Sequence, residues 1–340
     1  MIKNKTNSQI VKNKLLNDSF LTARLNNLDI DCKIFKGNFF LDSLNYFPIT
    51  EKNEVFQQLY LREDHNSFDH FYTKSFFQNF SNNINNFTNF NNVFILGSSI
   101  ANNYYSNLLF FLPRIYFFNQ KNVKILISRS LANNFRFLIK KICKKLNINA
   151  KFVFIDEGFC KFTNSNIPQF LKLNQNIKIL RKKLKSKEKI NKKIKLYVTR
   201  QETNYRNVLN ESDVIENLKK RGFKIINPLH YKITEQIKLF SSADTIVSPH
   251  GSNLANIIFC DPETKIFEIG PNYIFDFEKK IKTKYEKLAN LSGLKYFKIN
   301  ADTVNVKNHS KIAMKYVSKK ILDKSSHFKN MIVKLSDIDL

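Results

Sequence analysis

The chain has 340 residues, of which 43% are hydrophobic and 25% are charged. This balance excludes global disorder and predicts about two domains. The low counts of 7 Gly, 7 Pro and 4 Cys exclude collagen-like and disulfide-stabilised proteins. Because the cysteines form no CxxC pair, the sequence predicts neither a zinc site nor a disulfide framework, and a reducing cytoplasm is the expected setting.

The net charge of +28, from 56 Lys and Arg against 28 Asp and Glu, has two interpretations. Such an excess is typical of proteins that bind nucleic acid or anionic membranes. The alternative is codon composition, because Lys, Asn, Ile and Phe are abundant and Trp is absent. The charge is also spread along the chain. Lys is more abundant than Arg, although phosphate recognition favours Arg. We therefore expect no nucleic-acid partner and leave open a weak, peripheral contact with an anionic membrane.

No segment has the roughly 18 uninterrupted apolar residues of a membrane-spanning helix. The most apolar stretch, Leu108 to Phe118, contains Pro113 and Arg114. The first residues lack the apolar core and small-residue cleavage site of a secretion signal. The expected location is the cytoplasm, with the inner face of the membrane as an option.

The first half of the chain contains one clear alternating pattern. Residues 1–90 are poorly defined and end in an Asn-rich tract that is typical of a loop. Residues 91–170 then alternate between strand and helix, and the expected elements are Val93 to Leu96, Ile100 to Phe111, Val123 to Ser128, Leu131 to Leu146 and Phe152 to Ile155. This alternation predicts a parallel sheet flanked by helices, and thus a first Rossmann-like domain.

The second half begins with a basic segment, residues 171–195, which we interpret as a solvated linker helix in preference to a binding patch. The alternation then restarts, with strands expected at 196–199, 223–226, 245–248, 265–269 and 294–299, and helices at 211–221, 234–241, 254–259 and 276–291. Residues 196–300 are therefore predicted to form a second doubly wound domain. Residues 301–340 are expected to be a helical tail, with its helix at Ser310 to Leu322.

The predicted fold class is α/β, with two doubly wound domains that face a cleft. Ligands of such folds bind at the carboxyl ends of the parallel strands. The segment SPHGSNLANIIF, Ser248 to Phe259, predicts an anion site at such an end. A tight turn at His250 and Gly251 leads into a helix that Ser252 or Asn253 can cap, and backbone N–H groups at a helix start suit a diphosphate. The alternative is an ordinary capped helix with a surface His.

Two arginines are expected at the same rim of the sheet as His250. Arg200 directly follows a strand, and Arg206 lies in the next loop. A guanidinium can bind phosphate oxygens bidentately and stabilise the charge that grows on a departing nucleotide. The alternative for either arginine is a structural ion pair, for instance with Glu211. Asn210 resembles a helix cap, so a structural role is expected for it.

Together, these motifs resemble the family 61 glycosyltransferases, which include bacterial capsular-polysaccharide proteins and eukaryotic xylosyl- and N-acetylglucosaminyltransferases. The resemblance covers residues 195–299 well and rests on both the order and the spacing of the motifs. They are YVTR at Tyr197, Arg206, Asn210 with Glu211, Gly222-Phe223, Glu235-Gln236 before Leu239-Phe240, Ala243, PHGSNLANIIF, and IFEIGP ending at Pro271. The first half matches more weakly, through Asn102 to Ile115, which is similar to a family segment that ends in Leu-Pro-Arg.

The resemblance implies a GT-B-like enzyme that moves a sugar from a nucleotide-sugar donor to a hydroxyl of a glycan or lipid-linked acceptor. It implies inversion, no essential metal and no cofactor, in the biosynthesis of a surface polysaccharide. The first domain would then face the acceptor and the second would bind the donor. The predicted donor-binding residues are Arg200, Arg206, His250, Gly251, Ser252, Asn253, Asn256 and Glu268. The candidates for a general base are His250, Asp156 and Glu157, although an acidic pair after a strand is more often a cap or a turn.

The chain departs from the family at two positions, because it has Ser106 and Phe110 where the family usually has a His and an acidic residue. A catalytically impaired sugar- or nucleotide-binding member of the same fold therefore stays open as an alternative. A basic nucleic-acid-binding protein is less favoured.

The segment Asp64 to His70 holds two His and two Asp, but without helical spacing we interpret it as a surface loop. No GxGxxG follows an expected strand, which disfavours a nicotinamide cofactor.

Overall fold

The structure is a computed structural model that describes residues 20–42, 47–50, 59, 87–97, 103–118, 120–156, 158–185, 193–200, 205–273, 283–305 and 324–338. The chain divides into two compact units, Met1–Leu180 and Arg181–Leu340. The described residues form two sheets flanked by helices. The architecture is therefore mixed α/β, as the sequence predicts. No helix within the described ranges is long and apolar enough to cross a membrane.

The first unit contains a mixed sheet. Its strands are β1 Phe20–Leu25, β2 Ile30–Asp42, β3 Phe47–Thr50, β4 Thr88–Asn91, β5 Val93–Ile95, β6 Asn122–Ser128, β7 Asn149–Ile155 and β8 Phe159–Pro168. They are arranged in the order β1-β2-β8-β5-β6-β7, with β3 paired to β2 and β4 paired to β8. Strands β5, β6 and β7 are parallel neighbours. This part of the sheet is the one that the alternation of residues 91–170 predicts.

Strand β2 was not expected from the sequence, although it alternates clearly. Ile30 and Ile34 are buried at even positions, whereas Phe39 and Leu41 are buried at odd positions. The change of parity coincides with a shift of register against β8 between Gly37 and Phe39. Because such an irregularity inserts a residue into one strand, it moves the following side chains to the other face. A search for one uninterrupted alternation therefore fails here.

The helices of the first unit follow the sequence pattern. They are α1 Tyr104–Ser106, continued by a π-helix Asn107–Phe111 and a 3-10 helix Leu112–Phe117, then α2 Asn133–Lys145 and α3 Leu173–Leu184, whose last turn belongs to the second unit. Asn103 caps α1, since its side chain accepts a hydrogen bond of 2.9 Å from the N–H of Tyr105. Of the helix expected at Ile100 to Phe111, residues 100–102 lie outside the described residues.

The second unit has six described strands in the order β10-β9-β11-β12-β13-β14. Their bounds are β9 Ile194–Val198, β10 Phe223–Ile226, β11 Ala243–Pro249, β12 Lys265–Pro271, β13 Lys295–Val304 and β14 Asn330–Ile332. The strands from β9 to β13 are parallel. If β9 is counted as strand 1 of this unit, their order across the sheet is 2-1-3-4-5. This is a doubly wound order, and its direction of winding reverses between β9 and β11.

The helices of this unit match the predicted positions, with one difference in type. They are α4 Glu211–Lys220, a short 3-10 turn Pro228–His230, α5 Ile233–Ser241, a 3-10 helix Ser252–Phe259 and α6 Lys284–Leu291. The helix expected at 254–259 thus begins two residues earlier and is a 3-10 helix. Residues 274–282, which include the expected start of α6, lie outside the described residues.

The basic segment 171–195 is less solvated than expected. The guanidinium of Arg181 donates hydrogen bonds of 3.2 Å to the carbonyls of Cys260 and Ser292. Lys185 and Lys193 form salt bridges of 2.7 and 2.6 Å with Asp261. Because cations are favourable at the carboxyl end of a helix, these side chains stabilise the end of the 3-10 helix Ser252–Phe259. Residues 186–192 lie outside the described residues.

The described part of the C-terminal tail, residues 324–338, contains a strand that the sequence did not predict. Strand β14 pairs antiparallel with β13 and is flanked by two 3-10 turns. The expected helix Ser310 to Leu322 lies outside the described residues.

Asn210 begins α4 without a capping hydrogen bond from its side chain. Instead, its amide donates to the carbonyl of Val333 at 2.8 Å and accepts from the N–H of Val333 at 3.2 Å. Its role is therefore structural, as expected, but it anchors the tail.

Candidate functional site

Several of the predicted site residues lie together in the second unit, at the carboxyl edge of its sheet. Arg200 follows β9 and His250 follows β11, so they flank the point where the winding reverses. Glu268 lies on β12, next to β11, and its register partner on β11 is Ser248. A crevice at this point is where doubly wound sheets bind ligands. The fold therefore brings these residues to the expected place.

His250 and Glu268 form a buried pair. The Nδ1 of His250 lies 2.5 Å from Oε1 of Glu268, and the two side chains are 3% and 0% exposed. The hydroxyl of Tyr296 donates to Oε2 of Glu268 at 2.7 Å, and the ammonium of Lys298 donates to Oε1 at 3.2 Å. Glu268 is thus surrounded by donors, and its predicted role as an acceptor for donor hydroxyls is already filled by protein groups.

The protonation of this pair follows from its surroundings. Burial lowers the pKa of His250 well below 6.5, against the opposing effect of Glu268, and the nearby charges of Arg206 and Lys298 lower it further. Burial alone would raise the pKa of Glu268, but His250 and Lys298 outweigh burial and lower it. Near neutral pH the carboxylate is therefore ionised and the imidazole is neutral. Its Nδ1–H donates to Glu268, which leaves the lone pair on Nε2.

The stability of the protein is expected to fall in acid because of His250 and the half-buried His327, whose ring centroid lies 5.8 Å from that of His250. The pKa values of His250 and His327 are both below that of an exposed His, so unfolding takes up protons in acid. The contribution is fully present above about pH 6.5 and is lost progressively as the pH falls toward the lower pKa values of the folded state. Urea unfolding midpoints measured from pH 7.5 down to pH 5 should decrease. His327→Gln should flatten this dependence, whereas His230→Gln, at an exposed position, should leave it as in the wild type.

Lys298 reaches Glu268 because Gly270 leaves room for it. Gly270 lies on β12, and a Cβ added there would overlap the Nζ of Lys298. The same ammonium lies 5.2 Å from the ring centroid of Tyr273, a distance that permits a cation–π interaction. A glycine at this point of IFEIGP is therefore explained by the packing of a lysine on the sheet.

The turn after His250 presents backbone donors. The N–H groups of Gly251, Ser252 and Asn253 donate no hydrogen bond to any residue that the structure describes. Gly251 is the N-cap residue of the 3-10 helix, and no side chain caps it. The prediction that Ser252 or Asn253 caps this helix is therefore wrong. The helix already begins at Ser252, so Gly251 occupies the N-cap position. Adjacent unbonded N–H groups with the same orientation bind anions well.

Arg200 covers this turn. A Cβ added at Gly251 would overlap the Nη1 of Arg200 and lie 3.3 Å from its Cζ. The backbone of Gly251 is extended, with φ −175°, so any residue could adopt it. The need for glycine here is thus the close approach of the guanidinium and not the backbone conformation.

Arg206 is buried beside Arg200. Its side chain is 7% exposed, and its Nε has no hydrogen-bond partner among the described residues. The Cζ atoms of Arg200 and Arg206 lie 5.8 and 4.8 Å from the ring centroid of Tyr205, and burial and the charge of Arg206 lower the pKa of Arg200 to about 9. Arg206 forms no ion pair with Glu211, which instead accepts a hydrogen bond of 2.9 Å from the hydroxyl of Tyr197.

Asn256 does not face this site, in contrast to its predicted role as a donor contact. It is fully buried, and its amide donates to Oε1 of Gln236 at 3.0 Å. Gln236 in turn donates to the carbonyl of Pro228 at 2.8 Å. Asn256 therefore fixes the 3-10 helix Ser252–Phe259 to α5 from behind, which positions the turn.

His327 belongs to the site but was not found from the sequence. Its ring centroid lies 5.8 Å from that of His250, and its Nδ1 lies 3.1 Å from Nη1 of Arg206. It reaches this place through the pairing of β14 with β13, and no local motif around residue 327 indicates that pairing. The described residues contain no group of three or more His, Cys, Asp or Glu that could bind a metal.

The comparison with protein families identifies the chain. The sequence model of glycosyltransferase 61 matches residues 37–267, which is more than half of the chain. The chain belongs to the glycosyltransferase 61 family. Its general activity is therefore glycosyl transfer, and it is a transferase. No curated protein matches the chain. Arg200, Arg206 and His250 lie within the matched range of this family, whereas Glu268, Lys298 and His327 lie beyond it.

The other two candidates for the base of this glycosyltransferase lie in the first unit. Both carboxylate oxygens of Asp156 accept from the Nε of Arg129, at 2.8 and 2.9 Å, and the two side chains are each 63% exposed. This ion pair at the end of β7 gives Asp156 a structural role that fits the turn that its position suggested. Glu157 lies outside the described residues.

The two positions that depart from the family pattern lie on the irregular helix that starts with α1. Ser106 is 8% exposed and Phe110 is fully buried. The ring of Phe110 lies 6.0 Å from that of Tyr105 and 6.5 Å from that of Phe170. Phe110 is thus a core residue of the first unit that packs against aromatic rings.

Proposed function

We propose that the chain transfers a sugar from a nucleotide-sugar donor to an acceptor hydroxyl, and that Arg200, Arg206 and the turn Gly251–Asn253 bind the diphosphate of the donor. Two observations together support this most. The N–H groups of the turn Gly251–Asn253 have no acceptor among the described residues, and the buried Arg206 has no salt bridge among them. An uncompensated buried cation is costly unless an anion completes it. A diphosphate has the charge and the oxygens to do so.

The same groups support departure of the nucleoside diphosphate. Charge grows on the leaving phosphate as its bond to the anomeric carbon breaks, and preorganised donors stabilise that charge. Two guanidinium groups and the N–H groups of the turn can supply this stabilisation. We therefore propose that transfer needs neither an essential metal nor a cofactor.

We propose His250 as the general base. Glu268 accepts the Nδ1–H, so the lone pair of Nε2 is available, and the imidazole makes no other side-chain hydrogen bond to a described residue. As the acceptor oxygen attacks the anomeric carbon, its proton moves to Nε2 and the bond to the phosphate oxygen breaks. Direct displacement of this kind inverts the anomeric centre. Glu268 stays ionised and stabilises the imidazolium that forms.

The wider assignment is also a proposal. Family membership and two separate α/β units support a GT-B-like enzyme whose first unit serves the acceptor and whose second unit serves the donor. We propose a glycan or lipid-linked acceptor and a role in surface polysaccharide or glycan biosynthesis in the cytoplasm. The positive charge is consistent with peripheral contact with an anionic membrane, and no nucleic-acid partner is proposed.

A thermal-shift screen with a panel of nucleotide sugars, UDP and GDP tests the donor site. A ligand that binds only the folded protein raises its melting temperature. We expect a shift with at least one donor, and its loss in Arg200→Ala and Arg206→Ala. A full shift in both folded variants would show that the donor binds elsewhere. No shift with any nucleotide would contradict the proposal itself.

Gly251→Ala is expected to weaken binding of that nucleotide by about tenfold, because the new methyl group displaces the guanidinium of Arg200. A hydrogen bond to a charged group contributes about 1.5–3 kcal/mol. The extended backbone accepts alanine, so thermal stability should change little. Gly97→Ala is the matched control, since its Cβ would lie 3.7 Å from the nearest atom. Equal affinities in the two variants, measured by isothermal titration calorimetry, would contradict the assignment of Arg200.

A second candidate function is supported by the core position of Phe110. If the acidic residue of the family performs chemistry, this chain has lost it and is a sugar- or nucleotide-binding member. The two functions differ in turnover. Incubation of the bound donor with and without candidate acceptors, followed by measurement of released nucleoside diphosphate, separates them, because a binding-only protein releases none above background.

A further inference from the structure

The C-terminal segment 324–338 is built into the same edge of the sheet as the arginines. Strand β14 pairs with β13 on one side. On its other side, the N–H of Met331 donates to the carbonyl of Asn207 at 2.8 Å, and the N–H of Leu209 donates to the carbonyl of Met331 at 2.8 Å. Met331 is fully buried. The segment thus fills the space between β13 and the loop that carries Arg206, and it lies beyond the range that the family model matches.

This segment fixes the backbone of Arg206. Arg206 has a positive φ of 59°, which is uncommon for a residue other than glycine and persists only where neighbouring contacts enforce it. Its N–H donates to the carbonyl of Lys329 at 3.0 Å. Without the tail, the left-handed turn that directs this arginine into the site would lose that bond.

The segment also orients the guanidinium of Arg206. Its Nη1 lies 3.1 Å from Nδ1 and 3.3 Å from Nε2 of His327, so either tautomer of a neutral ring offers an acceptor. Burial and the charge of Arg206 lower the pKa of His327 well below 6.5, which keeps the ring neutral. A carboxylate at this position would orient the guanidinium equally well but would neutralise it. A neutral acceptor leaves the full positive charge for a bound anion.

We propose that His327 is a positioning residue of the donor site, which acts through Arg206, and that segment 324–338 is an integral part of that site. This inference rests on the proposed function, in which Arg206 binds the diphosphate of the donor. It adds one requirement to that function. Arg206 binds the diphosphate well only when a neutral hydrogen-bond acceptor from segment 324–338 holds its guanidinium.

Binding of inorganic pyrophosphate and UDP to the full chain tests this by calorimetry. We expect His327→Phe, which keeps a ring but has no acceptor, to weaken binding about tenfold, the effect of losing one hydrogen bond to a charged group. His327→Gln, which keeps an acceptor, should stay within about threefold of the wild type. The control is His230→Phe at an exposed position, which should bind as the wild type does. With a donor, His327→Phe should lower kcat as well as raise KM, because Arg206 also stabilises the charge on the departing diphosphate.

A double-mutant cycle separates this inference from the proposed function. If His327 acts through Arg206, His327→Phe should have no further effect in an Arg206→Ala background. Additive losses, or wild-type affinity in His327→Phe, would overturn the positioning role and leave the donor site in place. A wild-type chain that binds neither ligand would overturn the proposed function instead. If His327→Phe does not fold, His327→Ala enters the same cycle with the same expected results.

Discussion

Replacement of Glu268 by glutamine is expected to lower kcat for sugar transfer by about 10²–10⁴-fold, the usual contribution of a general base. Glutamine has the same shape, so its oxygen can still accept from Nδ1 of His250. What it lacks is the negative charge. When Nε2 takes the acceptor proton, the imidazolium then lies buried near the cations Arg206 and Lys298 with no carboxylate beside it. The transition state loses that stabilisation.

The pH profile distinguishes this effect from a general loss of structure. The carboxylate raises the pKa of His250, so its removal lowers that pKa and moves the acid limb of the kcat profile to lower pH. Tyr296→Phe is the matched control, because it removes one hydrogen bond of 2.7 Å from Glu268 and leaves the charge. Its rate should fall by about tenfold at most, as one hydrogen bond predicts. Sugar transfer at the wild-type rate in Glu268→Gln would rule out His250 as the base.

The parallel strands of the second unit were predictable because each is a short apolar run with a clear end. Strand β10 has the predicted bounds, Phe223–Ile226, since Gly222 separates it from α4. Once these strands are taken as parallel, their carboxyl ends must share one edge. That rule places Arg200 and His250 together without any knowledge of the side chains. This part of the site therefore follows from local pattern and topology.

The rest of the site depends on contacts that are distant in the sequence. Strand β14 has three residues, too few for a periodic pattern, and its partners are β13 and the loop after β9. His327 therefore could not be placed from the residues around it. Lys298 looked like any other lysine in a strongly basic chain, and only its position opposite Glu268 on the neighbouring strand distinguishes it. Asn256 was misassigned because a polar residue in a ligand-like motif gives no sign of its direction, which the packing against α5 determines.

Arg114 shows that the Leu-Pro-Arg segment has a role in the fold of the first unit. The side chain is fully buried. Its two terminal nitrogens donate to the carbonyls of Pro168 at 3.0 Å and Leu96 at 2.9 Å, so one guanidinium joins the ends of β8 and β5. Its Cζ lies 4.6 Å from the ring centroid of Phe170 and 4.9 Å from that of Phe111. A buried cation is thus held by carbonyl oxygens and aromatic faces.

Arg114→Met is expected to lower the free energy of unfolding of the first unit by about 3–5 kcal/mol, because each hydrogen bond to a charged group contributes about 1.5–3 kcal/mol and two buried carbonyls lose their donor. Arg114→Lys should cost nearly as much, since an ammonium cannot reproduce the fork that reaches both strands. Arg181→Met is the matched control, because Arg181 also donates to two carbonyls. Arg181 is only half-buried, so water can replace its guanidinium, and a loss of about 1 kcal/mol is expected. Urea denaturation of the three variants measures these differences. A loss below about 1 kcal/mol in Arg114→Met would show that methionine packing replaces the guanidinium, as apolar residues can for some buried ion pairs, and that the two strand ends do not depend on it.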